Sequence, residues 1–281
     1  MTTSTDLRAG RSVILPSNPA ALWAFFALAF GWSGGFLWLS TLTEPQSHWL
    51  RTALLMLTGF GPTLAAVCVV WLFEGRAALK LWLRRCLSNH LHPVWYAAAF
   101  LGPPLAMLAA LGLHAALGGT VGAFTANGHL GLALVQFGLT FFVGGPLGEE
   151  FGWRGYALPQ LARRWGWRWA SLAVGAIWAL WHLPLFFIPG MAQAQMPMAL
   201  FMASSVALSV LMSRLSVIAG FSILPAMVLH WSINTWSAII PVIPNGGSVR
   251  PYALVMSILF VTALIVFLKP GPPNSQTDLQ E

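Results

Sequence analysis

The sequence predicts an all-α, polytopic membrane protein with about eight transmembrane helices. Hydrophobic residues make up 57% of its 281 residues, and its mean hydropathy is +0.73. Charged residues make up only 7%, whereas a soluble domain carries about 25%. Apolar runs also recur at about the 20 residues that a helix needs to cross a bilayer. This small number of charged residues cannot cover a water-facing surface. A soluble globular protein is therefore excluded.

Eight apolar runs follow one another between residues 21 and 268, and we predict that they form a single transmembrane domain. A polar cytoplasmic tail is expected before them, over 1–20, and a Pro-rich, disordered tail after them, over 269–281. Short connecting loops make neighbouring helices antiparallel. The predicted spans are 21–41, 52–73, 94–117, 129–148, 169–188, 196–219, 222–241 and 252–268.

The positive charges agree with this number of spans. With the N-terminus inside, twelve of the 14 Lys and Arg residues fall on the inner side, and only Arg51 and Arg250 fall outside. This asymmetry is what the positive-inside rule predicts, with both termini cytoplasmic. The basic residues are spread over short loops, so the net charge of +7 reports topology. A nucleic-acid partner is therefore excluded, and the lipid bilayer is the expected environment.

Two adjacent carboxylates, Glu149 and Glu150, stand at the end of a long apolar run, while the other five acidic residues lie in tails or at segment ends. Ionisable residues at membrane depth are costly and usually functional. On a helix, Glu150 and Arg154 are four residues apart and face each other. Glu149 points about 100° away from Glu150, so it is available as a general base on water.

Two further polar groups occur inside later spans. Trp178 and His182 are four residues apart on one helical face, and Pro184 predicts a kink beside the histidine. His230 and Asn234 are also four apart, and together an imidazole and a carboxamide can bind a metal, donate to an oxyanion or hold a water. Both of these spans, 169–188 and 222–241, begin at the cytoplasmic side of the membrane. Their histidines are therefore expected deeper in the membrane than the predicted end of span four.

We therefore expect span four to extend to about Tyr156, with Glu149 buried and Arg154 near the lipid headgroups. Taken singly, each polar residue also has a structural explanation. A glutamate can pair with an arginine, a histidine can be a hydrogen-bonded core residue, and an asparagine can join two helices at about 0.6 to 2 kcal/mol. Three such groups in one chain favour a shared polar site within the membrane.

These motifs resemble a known family, the intramembrane endopeptidases of the CPBP group, also called the CAAX prenyl protease type II or ABI family. The family pattern is Glu-Glu-x-x-x-Arg, then Phe-x-x-x-His, then His-x-x-x-Asn or Asp. Here it reads Glu149-Glu150-x-x-x-Arg154, Trp178-x-x-x-His182 and His230-x-x-x-Asn234, with tryptophan where the family usually has phenylalanine. The resemblance covers roughly 149–234, inside a family-like core of about 129–241.

The resemblance implies eight helices around an intramembrane active-site cavity, in which a peptide bond of a membrane-associated or lipidated, CAAX-like substrate is hydrolysed. It makes Glu149 the residue that activates water with His182, and it gives oxyanion stabilisation to His230 and Asn234. Glu150, Arg154 and Trp178 support the site. A metal-free reaction is favoured, but two histidines and a glutamate are also a zinc set; the ligands would then be Glu149, His182 and His230.

Two other functions stay open from the sequence. A membrane protein of the same fold that binds peptides without cleaving them, such as a bacteriocin self-immunity or scaffold protein, would keep the cavity and lose the chemistry. A small-solute or proton-coupled transporter would use the same residues as a proton relay. The lack of an internal repeat makes the transporter less favoured. The expected location is the inner membrane of a bacterial cell.

Overall fold

The computed structural model describes residues 18–43, 47–124, 130–143, 145–244 and 246–270, and all regular structure within these ranges is helical. The predicted all-α, polytopic class is confirmed. Most of both predicted tails lies outside the described residues. The α-helices are α1 Pro19–Thr41, α2 His48–Thr58, α3 Gly61–Cys86, α4 Pro93–Ala116, α5 Leu130–Val143, α6 Pro146–Gly152, α7 Leu158–His182, α8 Met198–Ile218, α9 Leu224–Ile239 and α10 Arg250–Leu268.

Among the described residues, five stretches are long and apolar enough to cross a membrane, and α2 with α3 forms a sixth if this pair, bent by 50°, is one span. The protein is therefore an integral, multi-pass membrane protein. Every predicted span overlaps a helix, although several differ from a simple crossing. The second part of predicted span four and nearly all of predicted span five lie in one apolar stretch of 51 residues, Phe137–Phe187, and α9 has only 16 residues.

The expected extension of span four is found. α6 carries the two glutamates, a π-helical turn follows over Trp153–Ala157, and α7 continues from it. The expectation that Arg154 lies near the headgroups is wrong, because its side chain is fully buried inside the bundle. There its guanidinium pairs with Glu150 and lies over the Trp178 ring, so it needs no contact with the bilayer surface.

Two glycines allow α6 to pack closely against the junction of α2 and α3. A Cβ on Gly148 would lie 2.3 Å from the carbonyl oxygen of Gly59, and a Cβ on Gly152 would lie 2.5 Å from that of Pro62. These glycines are four residues apart, so they form one small-residue face of the kind that lets membrane helices approach closely. The glutamates between them are thereby fixed at a set depth in the bundle.

The π-helical turn after α6 is held by α3. The carbonyl oxygen of Gly155 accepts a hydrogen bond of 2.8 Å from the Trp82 indole and a second bond from Arg85. π-Helical turns inside α-helices often occur at functional sites. Here the turn joins α6, which carries the two acids, to α7, which carries His182.

α7 ends at His182, and a 3-10 segment follows over Leu183–Phe187. The predicted kink at Pro184 is therefore a helix end. Proline has no N–H to donate back to the preceding turn, which fits the change from α-helix to 3-10 geometry at this point. The histidine consequently occupies the last position of α7, whose second part begins after a kink at Gly166.

Candidate active site

A cavity of about 740 Å³ lies between α4 and α7 to α10, with α2 and α6 contributing to one wall. Most of its lining is apolar, with aliphatic and aromatic side chains from α2, α4 and α7 to α10. The structure brings all four residues predicted as catalytic to this cavity, together with one residue predicted as supporting: Glu149, His182, His230, Asn234 and Trp178.

The two carboxylate oxygens of Glu149 have different surroundings. Oε2 accepts a hydrogen bond of 2.5 Å from Nε1 of Trp178. Oε1 lies on the other side, where a Cβ placed on Gly145 would be 2.9 Å from it and 2.8 Å from Nε2 of His230. Glu149 itself is only 4% exposed. One oxygen is therefore fixed by the protein, while the other shares a small volume with an imidazole nitrogen.

Gly145 leaves that volume open for two reasons. It has no side chain, and its φ of +132° is a conformation that residues with a Cβ rarely adopt. Sequence reasoning did not single out this residue. The sequence contains a signal for it, the Gly144-Gly145-Pro146 step two residues before the acids. Such a step predicts a break in the helix, and α6 begins there.

His182 is oriented by its own helix. Its Nδ1 lies 2.9 Å from the carbonyl oxygen of Trp178, and because a carbonyl only accepts, Nδ1 carries the proton. The neutral ring then has its lone pair on Nε2. The ring packs edge-on against Trp181 and Phe201, with centroids 4.8 Å and 5.5 Å away. The imidazole is therefore held in one tautomer and one orientation.

His230 is oriented by Glu150. Oε1 of Glu150 accepts from Nδ1 of His230 at 2.8 Å and from Arg154 at 3.0 Å. Both members of the predicted Glu150–Arg154 pair are fully buried, so each charge is compensated inside the protein, as buried charges require. The bond to His230 joins residues 80 positions apart, and sequence spacing gave no sign of it.

Asn234 lies one turn after His230 on α9 and lines the same cavity with its side chain partly exposed. Its carboxamide and the His230 ring therefore border the cavity from one helix. Glu149 and His182 approach it from α6 and α7. This arrangement places potential proton acceptors and potential hydrogen-bond donors around a common space, as hydrolysis by an activated water requires.

The zinc alternative requires Glu149, His182 and His230 to converge on one metal ion. Within the described parts of the chain, no group of three His, Cys, Asp or Glu side chains is placed to hold a metal ion. As arranged, the residues do not fit a three-ligand metal site.

Comparison with known proteins agrees with the motifs. The family model described as Type II CAAX prenyl endopeptidase Rce1-like matches residues 130–236. This range contains α5 to α8 and nearly all of α9, with all the candidate site residues named above. Residues 130–236 of the chain are therefore similar to this family.

A curated relative is similar to part of the chain. CAAX prenyl protease 2 of Methanococcus maripaludis is 34% identical to the chain over 97 residues, which cover 32% of this chain and 33% of the relative. The match thus spans about a third of the relative's length. The resemblance inferred from the three motifs is confirmed.

Proposed function

We propose that this protein is an intramembrane endopeptidase that hydrolyses a peptide bond of a membrane-associated or lipidated, CAAX-like peptide. Two comparisons support this proposal: the family model that matches residues 130–236, and the name of the curated relative. The single observation that carries it is the environment of Glu149, a buried carboxylate with one oxygen bonded to Trp178 and the other facing an imidazole across an open space.

In the proposed reaction, a water beside Oε1 of Glu149 attacks the carbonyl carbon of the scissile peptide bond. Its proton passes to the Glu149 carboxylate, with Nε2 of His182 as a second acceptor. Collapse of the tetrahedral intermediate breaks the C–N bond, and the proton is delivered to the leaving nitrogen. A second proton follows from the new carboxyl group, so the products are a carboxylate and an ammonium group. General acid–base steps of this kind contribute about 10²- to 10⁴-fold to the rate.

His230 and Asn234 are proposed to stabilise the oxyanion of that intermediate. The carboxamide of Asn234 has N–H groups to donate, and Nε2 of His230 donates when the ring is protonated. Donors fixed in a water-poor cavity stabilise developing charge more strongly than donors in water. Glu150 and Arg154 act indirectly, through His230. Glu150 orients the His230 ring, and Arg154 balances the charge of Glu150.

The cavity also supports the proposed class of substrate. The lining extends along α8 from Phe201, beside His182, to Leu215 near the end of the helix. Those positions are about 20 Å apart at the rise of an α-helix. The polar members of the lining on this helix are Ser204, Ser205 and Arg214. A mainly apolar cavity of this extent next to the polar site suits an acyl or isoprenyl chain attached to the peptide.

The test is cleavage in proteoliposomes of a synthetic peptide that carries a prenylated cysteine and a CAAX end, followed by mass spectrometry. Wild type should release the C-terminal fragment, and Glu149→Gln and His182→Ala should lower kcat by at least about 100-fold. Glu74→Gln makes the same chemical change outside the cavity and should retain wild-type rates. Equal cleavage by Glu149→Gln and wild type would refute the proposal, and binding without cleavage by wild type would favour the peptide-binding alternative.

A further inference from the structure

Trp178 touches more of the candidate site than its place in the motif indicates. Its indole Nε1 donates to Oε2 of Glu149 at 2.5 Å, and its backbone carbonyl accepts from Nδ1 of His182 at 2.9 Å. The guanidinium carbon of Arg154 lies 4.6 Å from the centre of its ring. The His230 ring packs edge-on at 5.4 Å between centroids. One residue thus contacts four groups of the site.

Only one of these contacts depends on tryptophan. The carbonyl is backbone, and a phenylalanine ring can pack against Arg154 and the two histidines. The indole N–H is the exception, because phenylalanine, the residue usual at this position in the related family, has no donor. At 4% exposed, Trp178 makes this bond away from bulk water, where a hydrogen bond to a charged group is stronger than a neutral one.

We infer that Trp178 is a positioning residue of this chain, whose indole N–H fixes the Glu149 carboxylate in the rotamer that turns Oε1 toward His230 and the cavity. With Oε2 bonded, the carboxylate cannot rotate about its terminal torsion without losing the indole bond. That torsion is otherwise broad. The N–H thereby pre-organises the proposed base before substrate arrives, and the catalytic part of this inference rests on the proposed peptidase function.

The first test is kinetic. Trp178→Phe keeps an aromatic ring and removes the donor, so it should lower kcat by about 10- to 100-fold and leave KM within about twofold. Trp167→Phe is the matched control. Trp167 is also buried, its Nε1 finds no acceptor among the described residues, and it does not line the cavity. The control should keep the wild-type kcat.

The second test needs no cleavage. In nanodiscs with ¹⁵N-labelled tryptophan, the Trp178 indole N–H should resonate downfield of the other indole signals and disappear in Trp178→Phe. Glu149→Leu removes the acceptor, so the same signal should move upfield by about 1 ppm or more in the proton dimension, as hydrogen-bond loss implies. Glu74→Leu, outside the site, should leave it in place.

The two readouts separate this inference from the proposed function. An unchanged kcat in Trp178→Phe, or indole signals that all stay in place in Glu149→Leu, would overturn the positioning role even if wild type cleaves peptide. If Trp178→Phe does not fold, the Glu149→Leu spectrum still decides, because at least one indole signal must move upfield. If the wild type does not cleave the peptide but the indole signal shifts as expected, the peptidase proposal is refuted and the Trp178–Glu149 hydrogen bond is supported.

Discussion

The reacting groups proposed here meet beside a residue with no side chain, Gly145. A methyl group at that position would come within 2.8 Å of Nε2 of His230 and 2.9 Å of Oε1 of Glu149. Both distances are far below ordinary carbon contacts. The glycine therefore preserves the space in which a water or a scissile carbonyl has to sit.

Gly145→Ala should abolish peptide cleavage, because its methyl group fills that space and its φ of +132° becomes strained. We expect kcat to fall by at least about 100-fold, comparable to loss of the general base. Gly138→Ala, at an exposed position of α5, is the control, since nothing lies within 4 Å of its Cβ position. Wild-type cleavage by a folded Gly145→Ala protein would argue against this location for the reacting water.

The buried pair of Glu150 and Arg154 makes a prediction about stability. Arg154→Met leaves Glu150 charged, fully buried and with His230 as its remaining neighbour, so the free energy of unfolding should fall by about 3 to 5 kcal/mol. Adding Glu150→Gln should recover part of that loss. Denaturation of the three proteins in mixed micelles measures both changes, with exposed Arg76→Met as a control. Equal stability of Arg154→Met and wild type would contradict this view of the pair.

For single residues, the sequence predicts side-chain pairs within one helix and misses pairs between different helices. Glu150 and Arg154 were paired from their spacing of four, because helix geometry alone brings them together. The bond from Trp178 to Glu149 joins residues 29 apart, and the bond from His230 to Glu150 joins residues 80 apart. These distant bonds depend on how α6, α7 and α9 pack. Periodicity within a single helix contains no information about such packing.

Among the elements, the short helix α6 determines where the acids lie. Its glycine face, Gly148 and Gly152, meets the backbone of Gly59 and Pro62, and Oγ1 of Thr63 donates to the carbonyl oxygen of Leu147 at 2.8 Å. The position of both glutamates thus depends on backbone-to-backbone packing of α6 on the α2–α3 junction.

Gly152→Ala should disturb that packing, because its Cβ would lie 2.5 Å from the backbone oxygen of Pro62. Overpacking of this kind typically costs about 1 to 3 kcal/mol, and any shift of α6 moves Glu149 as well. We expect lower thermal stability together with at least about tenfold slower cleavage. Gly112→Ala, on an open face of α4, should change neither property. A Gly152→Ala protein as stable and as active as wild type would contradict a close contact here.

The helices themselves follow from the apolar runs, but their ends and depths do not. Hydropathy placed a helix at every predicted span and required a longer span four to match the depth of the histidines. It missed the π-helical turn over Trp153–Ala157 and the end of α7 at His182. It also placed Arg154 at the headgroups, because a hydropathy profile does not register that Glu150 and Trp178 cover the guanidinium inside the bundle.

For the whole molecule, basic residues from three segments meet at one end of the bundle. Arg168 donates to the carbonyl oxygens of Phe267 and Lys269 at 2.7 and 2.6 Å, and the guanidinium carbon of Arg214 lies 5.3 Å from the centre of the Trp167 ring. These contacts agree with the side that the charge asymmetry assigned as inner. We propose that this end faces the cytoplasm of a bacterial cell and that the protein resides in the inner membrane.

That orientation is testable by cysteine labelling in a chain whose Cys68 and Cys86 are replaced by alanine. Thr120→Cys, exposed just beyond α4, should react with a membrane-impermeant maleimide in intact spheroplasts, because it lies at the predicted outer end. Arg164→Cys, exposed at the basic end, should react only after permeabilisation. The reverse pattern would contradict the positive-inside assignment.

The most direct measurement of the central claim is single-turnover cleavage of the prenylated peptide in H₂¹⁸O by reconstituted protein, with the product analysed by mass spectrometry. If Glu149 activates water, the new C-terminal carboxylate should contain one ¹⁸O atom in the first turnover, and Glu149→Gln should give no product in the same time. An unlabelled first-turnover carboxylate, or equal product from Glu149→Gln, would contradict the account.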